Sequence, residues 1–90
     1  MSVYIDCFNA RKFGLTLCHM IADGDDELQL MARKIGLKKE WQHNDHYDVS
    51  VDKKKLAIKN GAIEVKDMMK FALLSRKIRV ARYEAKGGKI

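Results

Sequence analysis

The sequence predicts an α/β fold in which about three helices pack on a small mixed sheet, in the order ββαβα(β)α. Two observations lead to this prediction: short apolar runs of strand length alternate with longer segments whose apolar residues recur at helical spacing. The 90-residue chain is 47% hydrophobic and 33% charged, which is typical of a globular domain and not of a disordered chain.

The first half of the chain predicts two strands and a helix. Residues 3–5 are β-branched or aromatic and lead to Asp6, and residues 15–21 form a second apolar run bounded by polar and glycine residues. The basic segment between them, residues 9–14, suits a loop. The helix follows an acidic turn, ends near Gly36, and has apolar residues at helical spacing: Leu28, Met31, Ala32 and Ile35.

The second half begins with a polar segment, residues 38–45, that predicts a loop. The alternation over residues 47–51 predicts a half-buried strand with His46 at its start. Asp52 is then expected to cap a short helix, and residues 62–65 to form a brief strand.

A third helix is predicted from an amphipathic pattern formed by Val65, Met68, Met69, Ala72 and Leu73. We expect this helix to fray into a basic tail, residues 79–90, so that residues 1–78 form the single domain. The tail and the turn before it carry the cations expected to contact nucleic acid or an acidic protein: Arg76, Lys77, Arg79 and Arg82.

Charge divides the chain in two. The net charge is +6, but residues 1–52 carry −3 whereas residues 53–90 carry +9. Such asymmetry can attract phosphates, nucleic acid or an acidic partner, and it can equally be a solvated lysine-rich face.

Composition also limits where the protein works. No apolar run approaches the roughly 20 residues that cross a bilayer, and the N-terminus has no secretory signal pattern, so we expect a cytoplasmic protein whose Cys7 and Cys18 are reduced. A domain of this size buries a modest apolar area, which favours a homo-oligomer.

The densest polar segment lies between Trp41 and Asp48, and it contains two histidines, two carboxylates and two aromatic residues. If the second strand lies beside the strand that starts near His46, then His19 approaches His46 and Asp48. Asp6, at the end of the first strand, could complete the cluster. His43 and Asp45 are expected to be only loop neighbours of this set.

Three chemistries could use these residues. A divalent metal could be held by Asp6, His19, His46 and Asp48, with an open position for a water. A phosphate-bearing ligand could meet Arg11, Lys12 and the histidines, while Trp41 or Tyr47 stacks on a base. A His–Asp pair could also transfer protons. Each residue, taken alone, could instead have a purely structural role.

Several short motifs resemble a known family. They are Val3-Tyr4-Ile5-Asp6, residues 18–23 followed by Glu27-Leu28, Ile35-Gly36, Trp41, His46-Tyr47-Asp48 and Gly61-Ala62-Ile63. In this order they resemble domain of unknown function 4031, which occurs in bacteria and phages, and the resemblance covers residues 3–65. The resemblance implies no activity. It does imply that the following residues belong to the family's sequence pattern: Asp6, Cys18, His19, Asp23, Trp41, His46, Tyr47 and Asp48.

The first functional hypothesis is therefore a non-enzymatic, oligomeric module that binds a nucleotide or another phosphate-bearing small molecule. A phage-encoded copy could sequester a signalling nucleotide in the host cytoplasm. The alternatives are a metal-dependent hydrolase that uses the His/Asp cluster, and a basic module that binds protein or nucleic acid. The sequence leaves open whether the protein is an enzyme.

Overall fold

A computed structural model describes residues 2–6, 10–12 and 15–85. The strands are β1 (Val3–Asp6), β2 (Ala10–Lys12), β3 (Leu15–Ala22), β4 (Gln42–His43), β5 (His46–Ser50) and β6 (Ile63–Val65). The helices are α1 (Asp25–Lys34), α2 (Val51–Lys59) and α3 (Met68–Ala85), and a single 3-10 turn spans Lys39–Trp41. The predicted α/β class and the order of its main elements are confirmed.

Two short strands lie in segments where the sequence predicted loops. β2 pairs with β3, and β4 pairs with β5. Each pair is antiparallel and joins two strands that are consecutive in the sequence. The turn between β4 and β5 consists of Asn44 and Asp45, and Asn44 has a φ of 55°. Asparagine adopts this left-handed conformation more easily than most residues, which allows so tight a connection.

The six strands form one sheet in the order β4-β5-β3-β1-β6, with β2 paired to β3 outside this path. All pairs are antiparallel except β1 with β6. In the centre, β3 pairs with β5 so that His19 lies opposite Asp48, and with β1 so that Ile5 lies opposite Met20. This register places the polar residues of three strands side by side.

One face of the sheet carries the main core. Its fully buried side chains include Ile5, Met20 and Tyr47, and they pack with Leu28 and Ile35 from α1 and its C-terminal end. Helix α1 ends as the sequence predicted, because Gly36 has a φ of 81° and the next amide, that of Leu37, donates to the carbonyl of Ala32 at 2.8 Å.

Among the described residues, α3 covers part of the other face. Phe71 and Ile78 of α3 pack on Ile21 of β3 with Tyr4, Val65 and Leu74 around them. Because these contacts lie over β1, β3 and β6, the β4–β5 side of this face is left to polar residues. The same alternation that buries Met20 on the first face therefore presents His19 on the second.

Three helix boundaries differ from the sequence predictions. Ser50, not Asp52, caps α2 by accepting a hydrogen bond from the amide of Lys53 at 3.3 Å. Helix α3 begins at Met68 instead of Val65, since Val65 ends β6 and the Asp67 carboxylate accepts from the amides of Met69 and Lys70.

The basic tail is the third difference. Helix α3 continues through Ala85, past residue 79 where the tail was expected to begin. Its last turns are held to the domain, because Arg79 forms a salt bridge with Asp45 at 3.1 Å and Arg82 donates to the carbonyl of Ala22 at 3.3 Å. Within the described ranges, no helix is both long and apolar enough to cross a membrane.

Candidate functional site

The candidate site lies on the polar part of the α3 face. His19 in the middle of β3 faces Asp48 of β5 directly, and His46 lies two residues before Asp48, on the same side of the same strand. The three side chains are half-buried. They therefore converge on one place without being sealed from solvent.

The convergence is close enough for a metal ion. Nε2 of His19 and Nε2 of His46 each lie 3.6 Å from the same oxygen, Oδ1 of Asp48, and the three residues offer ligand atoms within 4.8 Å of one another. Metal–ligand bonds of 2.0–2.1 Å at tetrahedral angles put neighbouring ligand atoms about 3.3–3.4 Å apart. The two distances to Asp48 exceed this spacing by only a few tenths of an ångström, and the imidazole nitrogens, within 4.8 Å of each other, would have to approach by at most about 1.5 Å for the three residues to hold an ion.

Asp6 lies behind His19. The carboxylate is buried, accepts the backbone amide of His19 at 2.8 Å, and lies 2.8 Å from Nδ1 of the same residue. A proton on Nδ1 satisfies this carboxylate and leaves the lone pair on Nε2, which is the atom directed toward Asp48. Asp6 therefore orients His19 and stands outside the three-residue group, whereas the sequence had grouped it with the ligands.

Asp45 lies on the Nδ1 side of His46, at a longer distance than that of Asp6 from His19. Its Oδ1 lies 3.5 Å from Nδ1 of His46, and its Oδ2 is bound by Nε of Arg79 at 3.1 Å. Burial alone raises the pKa of Asp45, but the Arg79 guanidinium and the His46 ring more than offset this and hold its pKa below the ordinary value. Both histidines of the group are thus backed by a carboxylate, an arrangement common behind metal-ligating imidazoles.

The sequence had predicted that both Asp45 and His43 were only loop neighbours, which the contacts of Asp45 show to be wrong for that residue. His43 lies opposite His46 across the β4–β5 hairpin, 58% exposed, with Nε2 3.8 Å from Oδ2 of Asp48. Had the His-Asn-Asp-His order been interpreted as two strands joined by a two-residue turn, both histidines would have been predicted on one face. His43 stands at the rim, outside the group of three.

Two predicted site residues, Tyr47 and Trp41, lie outside the cluster. Tyr47 is buried on the opposite face of the sheet, where its hydroxyl donates to Gln29 at 2.8 Å, and burial together with the charge of Asp25 raises its pKa. Trp41 is exposed with the Lys38 ammonium 5.6 Å from the ring centre. The side chains of Arg11 and Lys12 lie outside the described part of the structure.

The two cysteines and the basic residues complete the comparison. Cys18 is buried on the apolar face, and Cys7 falls outside the described residues. Arg76 and Lys77 are exposed on α3, whereas Arg79 and Arg82 line a groove beside the cluster, and neither Arg76 nor Lys77 lines it.

This groove borders the cluster at His46. It has a volume of about 1230 Å³ and runs between α3, the β4–β5 hairpin and the segment before α1. The two arginines that line it are each joined to a carboxylate, Arg79 to Asp45 and Arg82 to Asp25 at 3.9 Å. A molecule in the groove would lie against one of the three candidate ligands.

Comparison with known proteins gives one match. Residues 3–77 match a family described as "Protein of unknown function (DUF4031)". No curated protein and no solved structure matches the chain.

Proposed function

The chain belongs to the DUF4031 family, which has no known function, and from the geometry of its polar cluster we propose that it is a metal-dependent hydrolase. The observation that carries this proposal is the convergence of two imidazole nitrogens on one carboxylate oxygen, each at 3.6 Å. Two imidazoles and one carboxylate suit a transition metal such as Zn²⁺ better than Mg²⁺ or Ca²⁺, which prefer oxygen ligands.

A set of three ligands, counted over residues 2–6, 10–12 and 15–85, favours catalysis over a purely structural role. Structural zinc sites are closed by four protein ligands, whereas catalytic sites keep a position for water or substrate. A zinc ion in such a site lowers the pKa of its bound water to near 7, so that hydroxide is available at neutral pH. The half-exposed cluster and the adjoining groove give a substrate access to that position.

The carboxylates behind the histidines support the same function. Asp6 and Asp45 each take the Nδ1 side of an imidazole, so that Nε2 of His19 and of His46 can bind metal without a change of tautomer. Such a site is preorganised, and a preorganised site costs less to fill.

The test measures metal content and hydrolysis in the same preparations. Protein loaded with Zn²⁺ and passed through a desalting column is expected to retain one ion per chain and to hydrolyse p-nitrophenyl acetate or bis(p-nitrophenyl) phosphate. EDTA should abolish the hydrolysis. His46→Ala should lose both the ion and the activity, whereas His43→Ala, which leaves the group of three intact, should keep the ion.

Two results would contradict the proposal. A wild-type protein that retains no zinc refutes the metal centre, and a zinc-loaded protein that hydrolyses neither ester favours the non-enzymatic ligand-binding module. Self-association, contacts of Arg76 and Lys77 with nucleic acid or an acidic protein, and a phage role stay predictions from the sequence.

A further inference from the structure

We propose that the groove beside the cluster binds a nucleoside monophosphate, with the phosphate between Arg79 and the metal position and the base against Tyr83. The inference rests on the proposed function in one respect, because it places the phosphate of the ligand next to the proposed metal ion. It adds the class of substrate, which the cluster alone does not specify.

The groove has the size and position that this ligand needs. Its volume of about 1230 Å³ exceeds the 300–1,000 Å³ of most small-molecule sites. His46 forms part of its wall and also belongs to the three-residue group. One end of a bound molecule would thus lie at the metal position while the rest extends along α3.

Arg79 supplies an anion-binding group next to that position. Asp45 binds its Nε at 3.1 Å and also lies 3.5 Å from His46. The salt bridge fixes one edge of the guanidinium, and the side chain is still 67% exposed. The two terminal nitrogens can therefore meet two phosphate oxygens at once, in the fork geometry that distinguishes arginine from lysine.

Tyr83 supplies an aromatic surface along the same wall. It follows Arg79 by four residues in α3, so the two side chains lie on one side of the helix, with their Cα atoms about 6 Å apart along the axis. Tyr83 is 48% exposed and lines the groove. A planar base can stack on such a ring while its phosphate reaches Arg79.

Charge limits the ligand to a single phosphate. The groove is lined by three basic residues, Lys39, Arg79 and Arg82, and by three acidic ones, Asp23, Asp25 and Asp45. This balance disfavours a polyphosphate or a nucleic-acid strand, which would meet the carboxylates. Asp23 and Asp25 can instead accept hydrogen bonds from the hydroxyl or amino groups of a sugar and base.

The experiment is isothermal titration of the full chain with AMP, GMP, CMP and UMP, with adenosine and inorganic phosphate as partial ligands. Zinc content is measured in each sample, and the titrations are repeated on protein stripped with EDTA. We expect at least one monophosphate to bind, and both partial ligands to bind at least tenfold more weakly. Stripped protein should still bind the monophosphate, more weakly, because Arg79 and Tyr83 do not depend on the metal.

Matched variants locate the ligand. Arg79→Gln should weaken binding roughly 10- to 100-fold, the effect of losing a charged pair of hydrogen bonds. Arg76→Gln, an exposed arginine one turn earlier and outside this groove, should have no effect. Tyr83→Leu should weaken binding about tenfold or more, whereas Tyr83→Phe, which keeps the ring, should restore it.

The two proposals fail separately. If zinc binds but none of the four monophosphates does, the groove is not a nucleotide site and the metal centre stands. If a monophosphate binds with Arg79 and Tyr83 dependence, but wild-type protein loaded with Zn²⁺ and desalted retains no zinc, the groove inference survives and the hydrolase does not. Binding that is unchanged in both Arg79→Gln and Tyr83→Leu would overturn the inference.

Discussion

Asp6→Asn offers a sharp test of how the site is organised. The Asp6 carboxylate accepts the backbone amide of His19 with one oxygen and meets Nδ1 of the same residue with the other, each at 2.8 Å. Asparagine keeps a single acceptor oxygen. If its amide nitrogen faces Nδ1, the imidazole must carry its proton on Nε2, the atom needed for metal. If the amide nitrogen instead faces the backbone N–H of His19, two hydrogen-bond donors face each other.

Either outcome reduces metal affinity. Loss of a carboxylate behind a metal-ligating histidine costs about 10- to 100-fold in affinity, or about 1.4–2.7 kcal/mol. We expect this loss in zinc titrations against a competing chelator, while circular dichroism shows a folded protein. Asp26→Asn, an exposed change in the first turn of α1, is the matched control and should bind zinc like the wild type. Wild-type affinity in Asp6→Asn would refute the claim that Asp6 sets the tautomer of His19.

Three further predictions test other parts of the structure. Tyr47→Phe should lower the free energy of unfolding by about 1 kcal/mol, because the hydroxyl loses its bond to Gln29, yet leave zinc affinity unchanged; a tenfold loss of affinity would place Tyr47 in the site after all. Gly36→Ala should cost about 1 kcal/mol in urea denaturation, because the backbone there has a φ of 81°, and unchanged stability would contradict this. Arg79→Gln should move acid unfolding to higher pH. The lowered pKa of Asp45 stabilises the fold above about pH 4, and that contribution disappears as pH falls through the lowered value. If circular dichroism shows an unchanged midpoint of acid unfolding, the salt bridge between Arg79 and Asp45 does not contribute to stability.

The periodic elements of this fold could be predicted from the sequence, because their patterns arise from the same burial that forms them. The alternation of polar and apolar residues predicted β5 with His46 at its start. The acidic turn followed by apolar residues at helical spacing predicted α1. The β2 and β4 strands could not be recognised, since two or three residues carry no period. These strands form because each has a neighbouring strand to pair with, and this tertiary context is not visible in the local sequence.

The site was only partly predictable for a related reason. The sequence could suggest only as a condition that β3 and β5 are neighbours. The structure shows that they are, with His19 paired opposite Asp48. Strand alternation alone would have separated Tyr47 from its neighbours His46 and Asp48, because adjacent residues point to opposite faces. The contribution of α3 was hidden, since the contact of Arg79 with Asp45 spans 34 positions and leaves no local signal.

The most direct test of the central claim is anomalous diffraction from crystals of the zinc-loaded protein. The account predicts one zinc peak per chain, about 2.0–2.2 Å from Nε2 of His19, Nε2 of His46 and an oxygen of Asp48. A zinc-loaded crystal with no peak at these three atoms, or with its zinc bound elsewhere on the chain, would contradict it.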